Sequence, residues 1–341
     1  MNALAFMGIR ILNIIFPILT GTYVARVLDK TYYGYFNSVD TILSFFLPFA
    51  TFGVYTYGLR AISNVRDNKN KTNKVFSQLF YLCMFCTIVT TTIYFATYNL
   101  FFENNPTLKK IYLVMGVQLV AQIFSIEWVN EALENYSFLF YKTAVIRVLM
   151  LISIFAFVRD EHDIIIYTLI MSLSTALNYV ISYFWIKKDV KFVRIKIRDL
   201  KPLILPLLAM LLFANANMLY TFLDRIFLVK AGESIYVTYY TMSQRLVTVL
   251  AGVITGAIGV SLPRLGYYLG NNDRESYTYL VNKGSRVFNF FIIPLSFGLT
   301  LLGPHAILLY GSEKYVAAGT LTSLFAFRTI ISALDTILGS Q

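Results

Sequence analysis

Ten apolar stretches, each close to the roughly 20 residues that cross a hydrocarbon core, follow one another along this chain with only short polar gaps between them. They run Ala5 to Leu28, Phe36 to Leu59, Val75 to Tyr98, Ile111 to Glu131, Tyr141 to Val158, Ile164 to Ile186, Leu203 to Val229, Val237 to Leu262, Val287 to Leu302 and Val316 to Leu338. Runs of that length and composition read as spanning helices, and together they account for almost the whole chain. The fifth and ninth are short. Pro294 is expected to kink the ninth, since proline has no N–H to give its helix. Gly303-Pro304 is expected to end it, leaving His305 to Tyr310 as an interfacial continuation.

Composition agrees with a membrane bundle. Charged residues make up 14% of the 341, against about a quarter in soluble domains, and the mean hydropathy is +0.63. The net charge of +11 would fit a nucleic-acid binder if it lay on a polar domain with interleaved aromatics. Here lysine and arginine fall in the gaps between apolar runs. One alternating set of gaps holds about 18 of them and the other about 6, a bias that places the first set and the N-terminus in the cytoplasm.

No gap is long enough for a catalytic domain; the longest are Lys187 to Lys201 and Arg264 to Arg286. The sequence contains no D-x-D pair, no phosphate-cradling glycine loop and no histidines at metal-ligand spacing, His162 and His305 lying far apart. An enzyme, a bound metal and a nucleic-acid partner are therefore not expected. Cys83 and Cys86 form a C-x-x-C spacing inside an apolar run, and read as small lipid- or core-facing residues. The first apolar run is too long for a cleaved signal peptide and carries Arg10 early.

Sliding the chain on itself gives a register at an offset of about 204, in which Gly34-Tyr35-Phe36-Asn37 falls on Thr238-Tyr239-Tyr240-Thr241. Asn13 falls on Asn217, Arg26 on Lys230, and Leu59-Arg60 on Pro263-Arg264. Apolar spans and charged gaps coincide along the same register. The expected architecture is an all-α polytopic membrane protein, a two-lobe bundle built as a parallel six-helix repeat. Residues 1–186 form an N-terminal lobe of six helices, 187–201 a basic cytoplasmic linker, and 202–341 a C-terminal lobe of four. The symmetry calls for at least twelve helices, so the second lobe reads as incomplete. Transporters are often built from such repeats, with the substrate path between the halves.

Charges deep in a span cost about 2.5–3.5 kcal/mol each on insertion scales and usually face a cavity or a partner. Arg328 and Arg245 lie deepest in their apolar runs and are the first substrate-binding candidates. Asp224-Arg225 sits nearer the outer end of the seventh run, Asp224 as an ion-coupling candidate and Arg225 as a substrate-binding one, with a salt bridge inside the lobe as the alternative. Glu127 and Glu131, four residues apart, are expected to share a helix face, either as ion-coupling candidates that take protons or a cation or as a solvated helix end. Arg10, Arg26, Asp40, Arg60, Arg147 and Asp335 lie nearer to ends, where snorkelling or capping is the default. Arg26 and Arg60 nevertheless stand as further substrate-binding candidates, as does Asn217. Mid-helix Asn13, Asn178, Asn215 and Asn217 suit a polar cavity or helix–helix hydrogen bonds. The 25 tyrosines cluster at the ends of spans, as an aromatic belt does.

Pro17, Tyr23-Val24-Ala25-Arg26-Val27-Leu28, Tyr33-Gly34, Phe52-Gly53, Tyr57-Gly58-x-Arg60 and Arg66-Asp67 resemble the opening of bacterial polysaccharide repeat-unit flippases, of the O-antigen and capsule type. Leu205-Pro206, Leu223-Asp224-Arg225, Val237-Thr238-Tyr239-Tyr240, Pro263-Arg264 and Leu309-Tyr310-Gly311 continue the resemblance. These flippases are similar to other members of the multidrug/oligosaccharidyl-lipid/polysaccharide exporter superfamily. The resemblance implies two lobes that alternate between inward- and outward-open states in the bacterial plasma membrane. It implies an undecaprenyl-pyrophosphate-linked oligosaccharide as cargo, no bound cofactor, and coupling to a Na+ or H+ gradient. Membrane lipids, a polysaccharide polymerase and glycosyltransferases are the implied partners. The alternative is a cation-coupled multidrug exporter of the same superfamily.

Overall fold

The computed structural model describes residues 2–101, 105–230, 234–259, 268, 271 and 273–338. Within them the chain is helical: α1 (Asn2–Val27), α2 (Lys30–Thr51), α3 (Val54–Ser63), α4 (Lys69–Ala96), α5 (Tyr98–Phe101), α6 (Pro106–Ala121), α7 (Glu127–Ala132), α8 (Tyr136–Phe157), α9 (Ile164–Ile186), α10 (Lys201–Lys230), α11 (Ser234–Gly259), α12 (Arg274–Tyr310) and α13 (Ala318–Leu338). Short 3₁₀ turns cover Gln122–Phe124, Ile197–Asp199 and Glu313–Tyr315. Six segments among the described residues are long and apolar enough to cross a membrane: Lys30–Ser63, Lys69–Ala96, Pro106–Ala132, Tyr136–Phe157, Ile164–Ile186 and Arg274–Tyr310. The longer helices α1, α10, α11 and α13 also have spanning length, at 26, 30, 26 and 21 residues. The ten expected spans thus correspond to ten helical segments.

The repeat register is visible in the helix starts. α2 and α11 begin 204 residues apart, and α4 and α12 begin 205 apart. The latter two open on the same device: the side chains of Asn68 and Asp273 accept from the backbone N–H three residues on, which satisfies a donor the helix itself leaves orphaned.

Three spans differ from expectation. The second is broken at Phe52-Gly53, both in the left-handed region with φ of 48° and 71°. A Cβ on Gly53 would lie 2.6 Å from the Leu207 carbonyl oxygen of α10, so only glycine permits both the turn and that approach. The fourth is not one helix. α6 tightens into the 3₁₀ turn at Gln122–Phe124, and the short α7 follows at Glu127. The ninth does not stop at Gly303-Pro304; α12 runs on through Pro294 and Pro304 to Tyr310. Pro304 forgoes one bond to the Thr300 carbonyl, and a proline in a helix interior costs about 3 kcal/mol. Packing opposes that cost. A Cβ on Gly303 would fall 2.5 Å from the Gly319 carbonyl, and one on Gly319 would fall 2.4 Å from Pro304 Cα. The two helices meet nearly backbone to backbone there, and a continuous α12 is what the contact requires.

Packing divides the chain into one unit of Met1–Phe16 and Val27–Val237 and another of Pro17–Arg26 and Thr238–Gln341. The first unit has its core among α3, α4, α7, α9 and α10, where Val54, Ile62, Phe76, Leu79, Phe80, Trp128, Val129, Ile186 and Leu207 are buried together. Gly58 of α3 admits the Trp128 ring, 2.5 Å from where a Cβ would stand. Cys83 belongs to this core, its Sγ 3.7 Å from the Ala50 carbonyl oxygen. α4 and α6 are clamped by Tyr94 and Tyr112, whose rings stack at 4.0 Å and 1°. Each hydroxyl donates to the other residue's carbonyl, at 2.9 and 2.8 Å. The basic segment after α9 lies along α4: the Lys191 and Val193 N–H groups donate to Asn73 Oδ1 and Ser77 Oγ. In the second unit Val247, Leu299 and Ala326 pack α11, α12 and α13 together.

Candidate functional site

α8 carries the most informative polar pattern in the first unit. Its exposed residues Tyr141, Val145, Val148, Leu149, Ile152 and Phe155 recur at helical spacing and form an apolar stripe. The other face presents Lys142, Thr143, Ile146, Arg147 and Met150. A helix that is apolar outward and charged inward suits a membrane span beside a polar interior. The sharp turn from α7 helps to set this rotation: Glu134 adopts φ of 60°, and the Asn135 N–H donates to the Asn130 carbonyl.

The inward face meets α1, α7 and α9 around a cavity of about 340 Å³, lined by Ile9, Asn13, Glu127, Thr143, Ile146, Arg147, Met150, Met171, Ser174, Thr175, Asn178 and Tyr179. At its edge Lys142 is buried, and its ammonium donates to Glu127 Oε1 at 2.5 Å, Ser182 Oγ at 2.6 Å and the Asn178 backbone carbonyl at 3.1 Å. Asn178 Nδ2 adds a second donor to Glu127 Oε1 at 2.8 Å. The Asn178 side-chain oxygen is buried and takes no hydrogen bond from the described residues. Arg147 reaches from mid-α8 to Asn13 Oδ1 at 3.0 Å. Tyr179 is held at the rim by Gln122 at 3.3 Å. With one carboxylate and two cations, the cluster carries one net positive charge.

Sequence reasoning assigned Arg147 to a helix end, and the structure corrects this. α8 starts at Tyr136, five residues before the apolar run does. Arg147 therefore lies about 16 Å along the helix at 1.5 Å per residue, half-way down it. Lys142 is a core residue. The signal available was their spacing: two cations five residues apart on a helix whose opposite face is wholly apolar.

The other candidates are dispersed. Glu127 and Glu131 both lie on the short α7 but make different hydrogen bonds. Glu131 Oε1 instead accepts from the Tyr55 hydroxyl at 2.6 Å, close in sequence to Glu134, which pairs with Arg66. Arg60 is exposed on α3. On α10, Asp224 is exposed and Arg225 half-buried, while the Asn217 side chain lies outside the described residues. Arg245 is half-buried on α11, about 16 Å from its start, and Arg328 is exposed on α13, about 15 Å from its start. Arg26 donates through Nε to the Gly311 carbonyl at 3.0 Å and through a terminal nitrogen to Leu309 at 2.9 Å. It thereby closes the C-terminal end of α12, where helix carbonyls lack donors and a cation is favoured. Of the asparagines read as mid-span polar residues, Asn13 and Asn178 both line the cavity.

Among the described residues no group of three or more His, Cys, Asp or Glu side chains is placed to hold a metal. A solved structure described as the inward-facing conformation of a multidrug resistance MATE family transporter of the MOP superfamily matches with a TM-score of 0.62 at 14% identity. The match covers 98% of this chain and 84% of that one, and at such identity it speaks to the fold alone. No curated protein matches the chain by sequence. The sequence profile of the family described as polysaccharide biosynthesis protein matches residues 1–268. The helices and the fold are those of a multi-pass membrane protein, and the chain belongs to the polysaccharide biosynthesis protein family.

Proposed function

We propose that this protein flips an undecaprenyl-pyrophosphate-linked oligosaccharide repeat unit from the inner to the outer leaflet of a bacterial plasma membrane, by alternating access of its two repeats. The supporting observation is the cavity among α1, α7, α8 and α9, which sets an arginine with donors to spare inside spanning helices. A pyrophosphate and its sugars cannot cross about 30 Å of hydrocarbon unaided. Guanidinium groups lower that barrier through charge-assisted, often bidentate contacts to phosphate. Asn13, Ser174, Thr175 and Asn178 add neutral polar atoms of the kind that bind sugar hydroxyls. At about 340 Å³ the cavity is near the low end of small-molecule sites, about 300–1,000 Å³. It would hold a phosphate group or one sugar ring of a larger cargo, and Arg245, Arg328, Arg225 and Arg60 stand as further substrate-binding candidates. The basic gaps, taken as cytoplasmic, put the N-terminus inside the cell.

The runner-up is a cation-coupled multidrug exporter. Cationic drugs call for an uncompensated acidic cavity, and the acidic group here, Glu127, already has the Lys142 ammonium against it. That weighs toward an anionic cargo.

The test is leaflet accessibility of a lipid-linked oligosaccharide in vesicles reconstituted with the protein. Wild type should accelerate its appearance in the opposite leaflet. Arg147→Ala should reduce the rate at least tenfold with insertion unchanged. Wild-type rates from Arg147→Ala, Arg245→Ala and Arg328→Ala alike would defeat the reading of a cationic path.

A further inference from the structure

The three acceptors around the Lys142 ammonium are a carboxylate oxygen, a hydroxyl and a backbone carbonyl, drawn from α7 and two successive turns of α9. A lysine ammonium has three N–H donors and no acceptor, so this group is fully satisfied and its side chain is buried. Oxygen ligands of these kinds are also what hard cations take from proteins. An ammonium on a four-carbon stem is a compact point charge, and here it stands where an alkali-metal ion would find its ligands. No further described titratable side chain faces the ammonium at hydrogen-bonding distance besides Glu127.

We propose that Lys142 is a built-in cation: the Glu127–Asn178–Ser182 cage is a monovalent-cation site that the chain fills with its own ammonium, so that it takes up no free Na+ or K+. A transporter made this way is not coupled to an alkali-metal ion through Glu127. Shortening residue 142 should open the cage to such an ion. The inference concerns the cage alone and holds whatever the cargo is.

Purified full-length wild type, Lys142→Ala, Lys142→Ser and Glu127→Gln/Lys142→Ala should be unfolded thermally in NaCl, KCl or choline chloride at equal ionic strength. Wild type should show the same Tm in all three salts. Lys142→Ala and Lys142→Ser should show a saturable rise of several degrees in NaCl or KCl over choline, or be recovered folded only in those salts. The double variant should lose the response, because the carboxylate charge is gone. A saturable, Glu127-dependent rise in wild type would overturn the proposal, since the site would then accept a free ion with lysine present. Failure of both shortened variants to fold in every salt, or a Tm indifferent to salt, would overturn it too. Because the readout is binding, loss of this proposal leaves the flippase reading standing, and the reverse.

Discussion

The Glu127–Lys142 pair allows a sharp test of what a buried ion pair contributes here. Lys142 is 2% exposed and Glu127 24% exposed along their side chains. Removing the carboxylate strands a fully buried ammonium; removing the lysine leaves a carboxylate with some access to its surroundings and one remaining donor, Asn178 Nδ2. Breaking a buried pair from one side costs about 3–5 kcal/mol. Glu127→Leu should fall at the upper end of that range, and Lys142→Met below it. Glu127→Gln keeps an acceptor for both donors and should cost about half as much, because charge-assisted bonds are roughly twice as strong as neutral ones. Glu127→Leu/Lys142→Met removes both charges and fills the volume, a replacement that is often neutral or stabilising. The cycle should therefore show a coupling of about 5 kcal/mol or more, the sum of the single effects less that of the double variant. The assay is unfolding in mixed micelles by titration with a denaturing detergent, followed through tryptophan emission, since Trp128 adjoins Glu127 and is buried. Single effects that add to within about 0.5 kcal/mol in the double variant, as independent sites do, would refute a direct pair.

Gly53→Ala should destabilise by about 1–3 kcal/mol, the cost of a strained backbone conformation, because φ is 71° and the new Cβ meets the Leu207 carbonyl; the same detergent titration measures it. Tyr94→Phe and Tyr112→Phe should each cost about 1 kcal/mol, the net worth of one hydrogen bond, because the stacked rings stay and one reciprocal bond goes. At the start of α12, backbone and side-chain bonds from Ser276 hold the Asp273 carboxyl below its ordinary range. Its stabilisation is thus present above the unfolded value, about 4, and fades as pH falls through the lower folded value. Amide protection at residues 274–277, taken relative to the intrinsic exchange rate at each pH, should fall under acid in wild type, and less so in Asp273→Asn, whose side chain caps without titrating.

How far the sequence reveals this molecule depends on the scale of the question. Apolar length fixes the spans because the bilayer sets it, and the near-constant offset between α2 and α11 and between α4 and α12 appears in the sequence register as in the helix starts. What an apolar-run reading loses is the first turn of a span. Residues 136–140 belong to α8 although the expected run starts at Tyr141, and leaving them out moves Arg147 from the middle of the helix towards its edge. The partner of a buried charge is likewise a tertiary fact. Nothing near Lys142 in sequence announces that Asn178 and Ser182, some forty residues on, complete its shell. Proline and glycine misled at Gly303-Pro304 because their local preference for a stop was overridden by the close approach of α13.

Counting donors sorts the cations in a way that depth along a span does not. Lys142 places all three of its N–H groups on protein acceptors, so it is part of the frame. Arg26 uses Nε and a terminal nitrogen on the last carbonyls of α12, and is likewise committed. Arg147, with five N–H donors, makes one hydrogen bond among the described residues, to Asn13, and lines a cavity. An arginine with donors to spare at such a place either binds something or is a standing cost to the fold. The two roles separate on substitution. Arg26→Ala should destabilise by about 1–2 kcal/mol, as loss of a helix-terminal cation in partly buried geometry does, and Arg26→Lys should recover only part of it, because one ammonium lacks the planar fork that reaches both carbonyls. Arg147→Ala should leave the unfolding midpoint within about 1 kcal/mol of wild type while transport falls. If Arg147→Ala instead unfolds as readily as a broken Glu127–Lys142 pair, Arg147 is a strut, and the cavity it lines has no claim on the cargo.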